Sequence, residues 1–226
     1  MDVLGIDACG KHGWVGVRLT DGRYAGTLVE TRLAALIERG GDVRAVGVDM
    51  GLGLLEAGWR RADLEARLRL GARRSSVFLV APRAVWQEPD YPAASSRCRE
   101  LTGGGLSAQA WALAPKLVEA HGCWLREPGR IHEVHPELSF QALAGGTPLS
   151  HAKKTWRGQQ LRRALLAGAG IVLPDELGEA DQIPADDVLD AAAAAWSAGR
   201  IARGTAERVP GTPERDAAGR AVEIRW

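Results

Sequence analysis

The chain has 226 residues, 46% of them hydrophobic and 25% charged, and its formal net charge is +1. That length suits one domain with a large insertion or two small ones, and the composition is that of a soluble globular chain rather than a disordered or membrane-embedded one. A near-neutral balance excludes a global basic field, so any contact with nucleic acid must rest on local clusters. No basic leader precedes an apolar stretch, and no run of about 18 apolar residues occurs, so a cytoplasmic protein that does not enter membranes is expected. Cys9, Cys98 and Cys123 are odd in number and lack a Cys-x-x-Cys pair, which predicts reduced thiols rather than disulfides or structural zinc.

The first fifty residues read as a compact α/β unit. "VLGID" predicts a short strand, "GWVGVRL" a second and "DGRYAGTLVE" a third entered through the Asp21-Gly22 turn, and the short connections imply an antiparallel meander. In "TRLAALIERGG", Leu33, Leu36 and Ile37 fall at helical spacing, with Thr31 as N-cap and Gly40 as stop. "RAVGVD" is a fourth apolar strand. It ends on Asp49 as the first ends on Asp7.

Residues 52–129 predict a largely helical insertion. "LEAGWRRADLEARLRLG" places Leu64 and Leu68 at i, i+4, and "SAQAWALAPKLVEAHG" runs from a Ser107 cap to Gly122, divided at Pro115. Arginines from Arg60 to Arg74, and a second cluster from Lys153 to Arg163, are either solvated helix faces or a footprint for a phosphate backbone; interleaved Asp63 and Glu65 favour the former. Next, "RIHEVHPELSFQALAGG" predicts a strand carrying Glu133 and His135, ended by Pro136, and then a helix. "KKTWRGQQLRRALLAGAGI" is a helix with Leu161, Leu165 and Leu166 inward. "DDVLDAAAAAWSAGRIARG" is the last long helix, and "GRAVEIRW" could add a late edge strand.

Carboxylates carry the chemistry. Asp187 and Asp190 project from one helix face roughly 5–6 Å apart. The alanines 191–195 that follow would let this helix lie close on a sheet and bring Asp190 to the strand ends holding Asp7 and Asp49. Each aspartate also has a plainer reading: Asp7 and Asp49 as turn formers, Asp187 as N-cap and Asp190 as a complement to the helix dipole. Carboxylates gathered without cations repel and raise one another's pKa, whereas hard divalent ions with oxygen ligands resolve the conflict. Two such ions about 3.5–4 Å apart can activate water and stabilise the leaving oxygen of a phosphodiester. Mg²⁺ or Mn²⁺ therefore fits better than zinc. Glu133 is a further candidate ligand or proton-transfer group, or else a solvent-facing strand residue. The five histidines show no metal spacing.

The order strand–strand–strand–helix–strand, with aspartates ending the first and fourth strands and a late helix bringing more, resembles the RNase H-like fold. From "EVHPELSFQALAGG" to "DDVLDAAAAA" the chain is similar to the Holliday-junction resolvases of that fold. Blocks from "GIDAC" through "VGVDMGLGL", "LGARRSSVFLVAPRAV" and "LSAQAWALAPKLVE" to "DDVLDAAAAAWSAGR" resemble the predicted nuclease family catalogued as domain of unknown function 429. The resemblance implies a single α/β RNase H-like domain over 1–226, with a mixed sheet flanked by helices. It implies Asp7, Asp49, Glu133, Asp187 and Asp190 as catalytic carboxylates, Mg²⁺ or Mn²⁺ as cofactor held by Asp7, Asp49, Asp187 and Asp190, and DNA or RNA as substrate. It also points to Arg74, Ser75, Ser76, Arg83, Lys116 and Lys154 as groups that grip phosphate. A sugar kinase or actin-like nucleotide-phosphate enzyme, with the same sheet order and the same aspartate-glycine opening, and a non-catalytic binding module remain as alternatives. A homodimer is compatible with each.

Overall fold

The computed structural model describes residues 1–226. The N-terminal apolar run forms β1 (Asp2–Ala8), which pairs antiparallel with β2 (Trp14–Thr20) from Asp2 opposite Thr20 to Ala8 opposite Trp14. Asp21 and Gly22, both at positive φ, close a tight hairpin onto β3 (Arg23–Glu30). The next helix, α1 (Leu33–Arg39), buries Leu33, Leu36 and Ile37. Thr31 does not cap it; the helix enters from Arg32, and the Leu33 amide donates to Glu119 of a distant helix instead. β4 (Ala45–Val48) then lies parallel to β1.

Between β4 and β5 (Ile131–Glu133) the chain forms α2 (Arg61–Leu70), α3 (Tyr91–Thr102), α4 (Ala108–Ala112) and α5 (Ala114–Arg126), with short 3₁₀ turns at Gly71–Ser76 and Arg83–Gln87. Ser107 caps α4 by accepting from Ala110 N. Pro115 sits in the first turn of α5, where its missing N–H costs nothing, and this divides the expected helix. The inner face of α2 is made by Ala62, Ala66 and Leu70, which are buried, while Leu64 and Leu68 are 41% and 82% exposed. The small side chains let α2 lie flat on a C-terminal hairpin. α6 (Pro136–Leu143), α7 (Trp156–Gly168, capped by Thr155) and α8 (Ala185–Ala202) follow. That hairpin is β6 (Arg208–Arg215) and β7 (Ala221–Arg225), a separate two-stranded sheet. "GRAVEIRW" therefore pairs with β6, not along the main sheet, which it meets at one bridge between Val134 and Arg225. β6 reads poorly from sequence because Pro210, Gly211 and Pro213 look like a turn; they fall in the irregular stretch between its paired ends.

The main sheet has the order β3-β2-β1-β4-β5, with an antiparallel meander on one side and parallel β1, β4 and β5 on the other, an RNase H-like arrangement. Alternation along the strands divides its faces. Leu4, Ile6, Val46 and Val48 join a core with α1 and α5. On the opposite face α8 crosses β1, β2 and β4 with Ala191–Ala195 fully buried. Its close approach depends on two strand glycines: a Cβ at Gly5 would fall 1.9 Å from Ala195 N, and one at Gly47 2.7 Å from Ala194 O. No helix is long and apolar enough to cross a membrane. All three cysteines are free and buried.

Candidate metal centre

Register and alternation together place the carboxylates. β1 and β4 run parallel with Gly5 level with Gly47, and the Asp49 amide continues the ladder by donating to Ile6 O at 2.9 Å. Two residues beyond the paired glycines, Asp7 and Asp49 therefore stand side by side on the face that α8 covers. Asp190 lies in the second turn of α8, just before the alanines that allow its approach. One carboxylate oxygen from each of Asp7, Asp49 and Asp190 lies within 4.8 Å of the other two.

Burial and mutual repulsion govern the titration of this cluster. Burial, followed by the charges of Asp49 and Asp190, holds the Asp7 pKa well above the ordinary carboxylate range. Burial pushes Asp49 and Asp190 up to about 7 each, against the pull of Lys153. Asp7 Oδ1 accepts from the Ala8 amide at 2.7 Å, and Asp190 Oδ2 from Lys153 Nζ, but Asp190 Oδ1 is buried with no hydrogen-bond partner. A buried, unpaired carboxylate oxygen in an all-oxygen donor set fits a hard divalent cation.

The other expected carboxylates divide. Asp187 is half-buried and lines the same cavity as the cluster, and burial, with Asp186 next to it, raises it to about 6. It lies outside the set of three and does not cap α8, which begins after Pro184. Glu133 also lines that cavity, but its carboxylate is engaged by other partners. Val48 pairs with Glu133, so along the strands its side chain has the opposite facing to Asp49. Its carboxylate accepts from Arg60 at 2.6 and 2.8 Å and from the Leu52 amide at 2.8 Å. Arg60, expected on a solvated face, is buried between Glu133 and Asp63.

Sequence reasoning undervalued Lys153 and Asp186. The Lys153 ammonium binds Asp190 and lies 3.8 Å from Asp186 Oδ2; burial opposes its charge, but Asp190 and Asp7 outweigh burial and raise its pKa. Asp186 is four residues before Asp190, the spacing that shares a helix face, and that was the available signal.

Of the six residues expected to grip phosphate, Ser76 and Lys154 line the cavity, and the Ser76 hydroxyl donates to Arg73 O. Arg74 and Ser75 are exposed and do not reach it. Arg83 pairs with Glu56 at 3.2 Å, and Lys116 lies over the Trp14 ring at 4.6 Å. The cavity has a volume of about 390 Å³, and segments of the insertion build much of its wall. His135, also lining it, contacts Ser76 O at 3.3 Å and is kept neutral-leaning by burial.

A family model described as protein of unknown function (DUF429) matches residues 5–215. No curated protein and no solved structure matches the chain.

Proposed function

Because the chain belongs to this family of unknown function, its activity has to be read from its own residues, and we propose that it is a metal-dependent nuclease hydrolysing phosphodiester bonds in DNA or RNA. The observation that carries the reading is the meeting of Asp7, Asp49 and Asp190 within 4.8 Å, from two strand ends and one helix. Mg²⁺ or Mn²⁺ bound there would supply activation of water and neutralisation of charge on the phosphodiester. Asp7 and Asp49 would hold it from the sheet, and Asp190 from α8 through the oxygen that now lacks a partner. Asp187, half-buried in the same cavity, is available to position water or take up a proton near neutral pH. Lys153 offsets the negative cluster and offers its ammonium to a phosphate oxygen; Lys154, exposed beside it, adds a second positive charge.

Purified protein with Mn²⁺ is expected to cleave at least one substrate among single-stranded, branched and hybrid DNA or RNA, and Asp7→Asn to abolish cleavage while the fold persists by circular dichroism. Equal activity in the variant would sink the assignment. A Mn²⁺-induced rise in Tm with no cleavage of any nucleic acid would keep the metal centre and remove the nuclease; saturable ATP binding would then favour the kinase-like alternative.

A further inference from the structure

We propose that the cavity beside the carboxylates receives a single unpaired nucleobase, so that the nucleic acid is engaged as a single strand, a frayed end or a flipped-out nucleotide, not as intact duplex. This rests on the nuclease reading above. A volume of about 390 Å³ falls in the range of small-molecule sites, roughly 300–1,000 Å³. Water or an ion alone would need only a small fraction of that space.

The lining has two chemistries. Asp7, Asp49 and Asp190 with Lys153 supply the polar part, where a phosphodiester belongs. Phe78, Val80, Trp86, Leu113 and Leu117, all from the insertion, supply an apolar part. Trp86 spends its indole N–H on Ala81 O at 2.8 Å, which leaves its ring without a polar demand on a ligand. Phe78 is only partly buried and lines the cavity.

A sugar-phosphate backbone has nothing flat and weakly polar to place against such a wall; the base has, but in a duplex it is stacked and paired. Reaching the wall from a phosphate held at the carboxylates therefore requires the base to leave the stack. The amide of exposed Gln109, also lining the cavity, offers donors and an acceptor for a base edge. The wall is also anchored: Asp63 accepts from the Val80 amide at 2.8 Å and from Arg60, which Glu133 ties to the end of β5. A pre-organised wall loses little on binding.

The test is anisotropy of a labelled single strand, its blunt duplex and the same strand with abasic sites, with Ca²⁺ as a metal expected to support binding without turnover. The single strand should bind about tenfold or more tighter than either competitor, as one base–aromatic stack supplies. Phe78→Ala should remove that preference and Phe78→Leu weaken it, both keeping the wild-type rise in Tm with Mn²⁺ as proof of an intact fold and centre. Equal binding of all three ligands, or a preference that survives Phe78→Ala, overturns the proposal. So does adenosine 5′-monophosphate binding as tightly as the strand, which would assign the cavity to a free nucleotide. Base-dependent binding with no cleavage would overturn the nuclease reading and keep the base site. Cleavage of duplex and abasic strands as fast as the normal single strand would do the reverse.

Discussion

Three carboxylates packed within 4.8 Å of one another work against the metal-free fold, and this fixes how it responds to pH and mutation. Asp49 and Asp190 titrate near 7 when folded, against about 4 in an unfolded chain, so the folded state holds their protons more tightly. The stability linked to those protons is complete below about pH 4 and is lost as pH rises to about 7. Thermal melts in chelator should show that decline across the interval, whereas the gain in Tm on adding Mn²⁺ should grow with pH, because the cation competes with the same protons. Asp7→Asn removes one ionisable group from the buried cluster without changing shape. It is expected to raise the metal-free Tm at pH 7.5 by ~2–4 °C, the equivalent of about 1 kcal/mol, and to abolish the response to Mn²⁺. A metal-free Tm that falls in the variant would show that the carboxylate is satisfied as it stands.

At the scale of elements, the centre exists because one helix can approach one sheet. Gly5→Ala would drive a Cβ to 1.9 Å from Ala195 N, backbone against which no side chain can yield. α8 must then lift, at a cost of about 3 kcal/mol or more, and Asp190 moves with it, so the Mn²⁺ response should shrink along with Tm. Gly122→Ala, where nothing lies within 4 Å, should instead be neutral or stabilise α5 by about 0.5–1 kcal/mol. A Gly5→Ala protein as stable as wild type would refute the close-packing account. The same contact explains what the sequence could show: five alanines after Asp190 and strand runs ending in Asp7 and Asp49 are local signals, and they led to the cluster. Leu64 and Leu68 at i, i+4 marked the helix but not its inner face, because an apolar pair turns inward only when the helix packs on large residues. In α2 the inner face is Ala62 and Ala66 against the C-terminal hairpin, a partner distant in sequence. β6 was hidden for a related reason, since its pairing with β7, not its own residues, makes it a strand.

Across the whole molecule, Glu133 shows how a carboxylate of the expected type in the expected place can serve another end. Its position on β5, one strand beyond Asp49, was legible; its facing depended on a register that only the folded sheet sets. Folded, it joins Arg60 and Asp63 in a buried network binding the sheet to the insertion, from the Leu52 amide at one side to the Val80 amide at the other. Burial pushes its pKa up and Arg60 pulls it back, the balance of a charge held by a partner. Removing that partner leaves the buried guanidinium to Asp63 alone, so Glu133→Ala should cost about 3 kcal/mol, the low end for a broken buried pair, a drop in Tm of roughly 6–12 °C for a chain of this size. The two roles open to Glu133 then separate. If it ties the insertion to the sheet, the variant melts early but still gains Tm with Mn²⁺ through Asp7, Asp49 and Asp190, and it loses preference for a single strand as the Val80 wall loosens. If it ligates metal, the variant keeps its metal-free Tm and loses the Mn²⁺ gain. The distances favour the first outcome, because both Glu133 oxygens are already taken by Arg60 at 2.6 and 2.8 Å.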